Sequence, residues 1–142
     1  MGNRKINLVL FVLWIGLMLF GILAPTDSLP NDIGFLSFIP YFDKIVHGGM
    51  FFGFAFLLFW LFVSKYSQKK SFFLTIVISI FFGIITEFLQ LFLSAIIHRS
   101  FELIDFLADI LGILFSMLLC YFIINKKQRS KKVKKYYSKK NR

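Results

Sequence analysis

Four long apolar stretches constrain this chain more than any other feature. They run over Ile6–Ala24, Ile45–Val63, Phe72–Leu93 and Leu103–Ile124, with lengths of 19, 19, 22 and 22 residues. About 20 apolar residues are needed to carry a helix across a ~30 Å hydrocarbon core. Within that core every backbone polar group must be satisfied internally, which leaves helices or closed barrels. A barrel strand would alternate in hydrophobicity over ~10 residues, and no such alternation is present. Hydrophobic residues make up 58% of the 142-residue chain, with 21 Phe, yet its formal charge is +10. Soluble domains are about 45–50% apolar, so grease and charge must occupy different places along the sequence. A soluble enzyme, a disulfide scaffold and a disordered chain are thereby excluded. The predicted fold class is all-α: a polytopic membrane protein, a four-transmembrane-helix bundle. Residues 1–124 form the transmembrane domain and 125–142 a basic, disordered tail.

The first stretch is expected to be a retained span. Its apolar run exceeds the 7–15 residues usual in a signal peptide and lacks an A-x-A site. Direction follows from the bias of Lys and Arg toward cytoplasmic flanks. Arg4 and Lys5, then Lys65, Lys69 and Lys70, then ten in the tail place 15 of the 17 basic residues on one side of a four-span chain. Both termini are therefore expected in the cytoplasm of a multi-pass membrane protein. The tail is expected to lie on anionic headgroups, at roughly 1 kcal/mol per basic residue. With no binding fold beside it, nucleic acid is not an expected partner. The first connection holds Pro25, Pro30 and Pro40, and its apolar half, residues 33–42, is expected at the outer interface or over helix ends.

Ionisable residues inside spans are costly and usually have a function. Here they fall in the outer half: Asp43, Lys44 and His47 entering span two, Glu87 and Gln90 leaving span three, and Arg99 with Glu102, Asp105 and Asp109 around the entry to span four. Asp43 and His47 are i,i+4. Glu87 and Gln90 are i,i+3, and Ser79 and Gly83 continue that face. Glu102, Asp105 and Asp109 are i, i+3, i+7, and Gly112 and Ser116 continue theirs. Such spacings put each set on one helix face, and the economical packing points the three faces at one another. Gly49 and Gly53 form a G-x-x-x-G, which lets helices approach closely. The same groups could instead be ion pairs that fix helix register. Trp14, Cys120 and the Met residues are expected to be packing.

Asp43-Lys44-x-x-His47, Gly83-x-x-x-Glu87-x-x-Gln90, and Arg99 followed by Asp105-x-x-x-Asp109-x-x-Gly112 resemble the VanZ-like family of small bacterial membrane proteins. Two positions depart from that pattern: Asp109, where Asn is usual, and Phe51, where a Tyr often stands. The family is named for a protein conferring low-level teicoplanin resistance. The resemblance thus implies a location in a bacterial inner membrane and a contribution to resistance against a lipid-tailed glycopeptide.

Two functions compete at this stage. In the first, Asp43, Lys44, His47, Glu87, Gln90, Arg99, Glu102, Asp105 and Asp109 bind the headgroup of an envelope lipid or a lipoglycopeptide, with Lys44 and Arg99 pairing its anionic group. In the second, the protein is an intramembrane enzyme using His47, Glu87 and Asp105 as catalytic acid and bases. His47, Asp43, Glu87 and Asp105 include ligand types suited to a metal, yet no H-E-x-x-H or comparable spacing occurs, so no metal or other cofactor is expected. Ion passage is disfavoured, since the inner half-spans lack ionisable groups other than Cys120. Membrane lipids are the expected partners, and a homo-oligomer is open to so thin a bundle.

Overall fold

The computed structural model describes residues 4–23, 41–97 and 102–140. It contains α1 (Arg4–Leu23), α2 (Phe42–Val63), α3 (Gln68–Phe92), the single turn α4 (Ser94–Ile97) and α5 (Leu103–Lys140). Among the described residues there is no strand. Four helices are long and apolar enough to cross a membrane, and the chain is a multi-pass membrane protein.

The helices alternate in direction. At one end of the bundle Gln90 donates its amide to the Ile22 carbonyl at 3.1 Å, and the Glu102 N–H donates to Glu87 Oε2 at 3.3 Å. At the other end Gln128 donates to Gln68 Oε1 at 3.2 Å. The ends of α1 and α3 therefore meet the starts of α2 and α5, as four alternating spans require. The apolar connection around residues 33–42 lies mostly outside the described residues. Tyr41, at its end, holds a left-handed conformation (φ 59°) where α2 begins.

Helix α2 is central, flanked by α1, α3 and, most extensively, α5. Lipid tails are as apolar as Leu, so packing rather than water exclusion must hold helices together. The core supplies that packing with aromatic rings. Phe51, Phe54 and Phe59 are fully buried. Phe54 stacks on Phe82 with centroids 4.7 Å apart, and Phe59 meets Phe72 at 4.6 Å. Such pairs contribute about 0.5–1.5 kcal/mol each beyond their burial. The opposite faces expose Leu13 and Phe20 on α1, Phe81 and Phe88 on α3, and Phe115 and Phe122 on α5. These are the sides that meet lipid.

The closest backbone approach is between α2 and α5, at Gly48 and Gly112. A Cβ on Gly112 would run into the Gly48 carbonyl, and one on Gly48 would lie 3.1 Å from the Ala108 carbonyl oxygen. The expected G-x-x-x-G pair does something different. Gly49 has no neighbour within 4 Å of its would-be Cβ, whereas Gly53 makes room for the Trp14 indole. Trp14 is more than packing, because its Nε1 donates to the Met50 carbonyl at 3.0 Å and ties α1 to α2.

Helix α5 does not stop at the membrane edge. It continues through Lys140, 16 residues beyond Ile124, where the sequence reading places a disordered tail. The physical reason is local. No Gly or Pro follows Gly112, and Lys, Arg and Gln are good helix formers, so nothing terminates a helix already propagated through the core.

Candidate functional site

The helix starts and ends at one side of the bundle bring together most of the polar residues singled out by spacing. They form two tiers. The upper tier is built around Lys44, whose Nζ lies 2.6 Å from Asp43 Oδ2, 2.5 Å from Glu102 Oε2 and 2.6 Å from Asp105 Oδ1. Asp43 and Lys44 come from the first turn of α2, Glu102 immediately precedes α5, and Asp105 belongs to its first turn. The Asp43 and Glu102 side chains are 57% and 49% exposed, so this tier opens to the surroundings.

One turn deeper lies the second tier. His47 is i+3 from Lys44 and Asp109 is i+4 from Asp105, so both helices carry the site inward on the same faces. His47 Nδ1 stands 3.2 Å from Asp109 Oδ1. Glu87 enters from α3. Its Oε2 accepts the Glu102 N–H, which is one of the donors a helix start leaves unsatisfied within its own backbone. His47, Glu87 and Asp109 are all buried, with one donor atom from each lying within 4.8 Å of the others. Spacing puts each of the three on an inward face of its own helix; which of them meet is visible only with the helices packed. Glu87 Oε1 and Asp109 Oδ2 have no hydrogen-bond partner among the described residues. Below this tier the Gly48–Gly112 crossing and the Phe51 ring close the bundle.

Two expected members stand apart. Gln90 is buried but turns to α1, where its amide satisfies the Ile22 carbonyl in the last turn of that helix. It fastens the bundle. Arg99 lies outside the described residues.

Lys44 is likewise not disposed as the sequence reading expects. That reading has it pair a ligand's phosphate or carboxylate, yet three carboxylates already surround it. With carboxylates ionised, Lys44 against Asp43, Glu102 and Asp105 gives the upper tier a formal charge of −2. Asp109 and Glu87 add two more negative charges below. Among the described residues of the site, carboxylates therefore outnumber the cationic groups Lys44 and His47.

Sequence reasoning missed two features, one beside the upper tier and one along α3. A groove of about 670 Å³ runs between α2 and α5, lined by Tyr41, Ile45, Gly48, Gly49, Phe52, Leu111 and Phe115, with Lys44 at its polar end. Its only sequence signal is the run of small residues, Gly48, Gly49, Ala108 and Gly112. Helix α3 also buries Ser71, Thr75 and Ser79 in line with Gly83 and Glu87. Four-residue spacing made part of that polar seam legible, though not its extension to Ser71.

Comparison with known proteins corrects the resemblance drawn from the motifs. No protein-family model matches the chain, and no solved structure does. The VanZ-like assignment is not sustained, because no family model matches and the relative found is a fungal protein. The expected bacterial source and teicoplanin resistance lose their support with it. The chain is similar to an uncharacterized protein of the fission yeast Schizosaccharomyces pombe, a eukaryote, at 33% identity over 97 residues. That match covers 68% of this chain, and the chain spans 56% of the length of the yeast protein.

Proposed function

We propose that this membrane protein binds an amphiphile, with the acyl tail in the α2–α5 groove and the headgroup at the Lys44 tier. The observation that carries the reading is the groove itself. It is apolar along its length and reaches Lys44, whose ammonium the partly exposed Asp43 and Glu102 hold. Ligand sites commonly combine an apolar cleft with a few convergent polar groups. The charge balance favours a headgroup that brings an amine or several hydroxyls, because Asp43 and Glu102 present accepting oxygens while Lys44 is already paired.

The acid–base alternative is less well supported. A general base must come within about 2.6–3.2 Å of the proton it takes, and His47, Glu87 and Asp109 are each no more than 3% exposed. Asp105 is engaged with Lys44. Orientation belongs to the proposal too: the excess of Lys and Arg at the opposite end of the bundle puts the acidic end on the non-cytoplasmic face.

Gly49 gives the cleanest test, since its would-be Cβ meets nothing. Gly49→Phe should fill the groove without disturbing the crossing. In nanodiscs, phosphatidylethanolamine binding measured by native mass spectrometry should weaken about tenfold or more, equivalent to about 1.4 kcal/mol. Wild-type protein should also prefer phosphatidylethanolamine to phosphatidylglycerol. Equal binding of both lipids, unaltered by the Gly49 variant, would sink the reading.

A further inference from the structure

We infer that His47, Glu87 and Asp109 form a binding site for a divalent transition-metal cation inside the bundle. This does not rest on the amphiphile reading, which concerns the upper tier and the groove.

The two tiers offer an internal comparison. Each gathers three potential metal donors: Asp43, Glu102 and Asp105 above, His47, Glu87 and Asp109 below. Above, the Lys44 ammonium lies 2.5–2.6 Å from all three carboxylates and stands where a cation would stand. Below, the described residues supply no such ammonium. Two carboxylates with 1% and 0% exposure face one imidazole, and Glu87 Oε1 and Asp109 Oδ2 are without hydrogen-bond partners. Leaving two ionised carboxylates there without a counter-charge costs several kcal/mol per ion. One divalent cation would cancel both charges and draw a carboxylate oxygen from each residue.

The spacing fits such an ion. Donors on opposite sides of a metal with bonds of about 2.0–2.2 Å are at most ~4.4 Å apart. A set already within 4.8 Å closes with small side-chain movements. The 3.2 Å between His47 Nδ1 and Asp109 Oδ1 matches two adjacent ligands of one ion, about 3.0–3.4 Å apart at those bond lengths. One imidazole nitrogen with carboxylate oxygens suits first-row ions such as borderline Zn²⁺ or harder Mn²⁺ better than soft copper(I) or Ca²⁺ with its all-oxygen preference. The upper tier lies one helical turn away, so an ion entering from that end has to pass the Lys44 ammonium held among Asp43, Glu102 and Asp105.

The test uses the untagged full chain, purified in detergent, stripped with a chelator and re-equilibrated with Zn²⁺ or Mn²⁺. Elemental analysis should find about one ion per chain, and thermal unfolding should rise by about 5 °C with the ion. His47→Ala, Glu87→Gln and Asp109→Asn should each bind under about 0.2 ion per chain and lose the thermal shift. X-ray absorption on the wild-type zinc form addresses the case in which a variant fails to fold. It should show imidazole nitrogen and oxygen at about 2.0–2.1 Å and no sulfur. Wild-type protein that holds neither ion, variants that retain full metal, or a sulfur ligand would each overturn the site.

Discussion

Lys44 brings together residues from two helices, and its removal should expose how the acidic end is balanced. Lys44→Met keeps the apolar stem but leaves Asp43, Glu102 and Asp105 facing one another. Asp43 and Glu102 are about half exposed and screened by water, whereas the Asp105 side chain is only 10% exposed and carries most of the penalty. The expected loss is about 2 kcal/mol, below the 3–5 of a fully buried pair because of that screening. Glu102→Gln alone should cost under about 1 kcal/mol, and added to Lys44→Met it should recover part of the loss. Denaturant titration of the double-mutant cycle checks this, and a non-positive recovery would contradict the ion cluster. At this scale the sequence was informative about which residues meet. Charges at i+3 and i+4 in the end turns of apolar helices have little choice but to face inward, which places His47, Glu87, Asp105 and Asp109 together. Spacing could not say which partner each would take. Gln90 shares a face with Glu87 yet satisfies an α1 carbonyl, because the demand comes from another helix's last turn.

Between elements, the Gly48–Gly112 crossing fixes the separation of α2 and α5 and therefore the geometry of both tiers. Gly112→Ala should destabilise the bundle by about 1–3 kcal/mol through overpacking, since its new methyl would meet backbone rather than a yielding side chain. Gly49→Ala should be neutral or stabilising by about 0.5 kcal/mol, through reduced backbone freedom in the unfolded chain. Unfolding of both variants in mixed detergent should separate them, and equal effects would mean that the crossing lies elsewhere. The buried Thr75 hydroxyl has no hydrogen-bond partner among the described residues, so Thr75→Val removes an uncompensated polar group and should not destabilise. The four spans were legible as uninterrupted apolar runs. The choice of glycines was not, because a G-x-x-x-G at 49 and 53 scores like any other until the neighbouring helix is in place. The continuation of α5 to Lys140 was hidden for another reason: a run of Lys is read as solvated charge, although its intrinsic preference is helical.

Across the whole molecule, charge is divided between the two ends of the bundle. Arg4, Lys5, Lys65, Lys69, Lys70 and the basic residues after Ile124 belong by sequence to one end, while Asp43, Glu87, Glu102, Asp105 and Asp109 gather at the other. The alternating helices make that division a property of the fold. Which end faces the cytoplasm depends on the membrane's own asymmetry, and the bias of basic flanks predicts the Lys-rich end. The test starts from a Cys120→Ser background, because Cys120 is the chain's single and fully buried cysteine. Into it go Ser28→Cys, between the first two spans, or Lys139→Cys, beyond the last. An impermeant maleimide added to intact cells should label the first and spare the second until the membrane is opened. The reverse pattern would turn the acidic tiers toward the cytoplasm, where the proposed amphiphile would come from the inner leaflet and the proposed metal from the cytosolic pool. Labelling of both from one side would mean an odd number of crossings between residues 28 and 139 has become even. Four alternating helices cannot satisfy that result, and the meeting of Lys44, Glu87 and Glu102 at one end of the bundle would have to be abandoned with them.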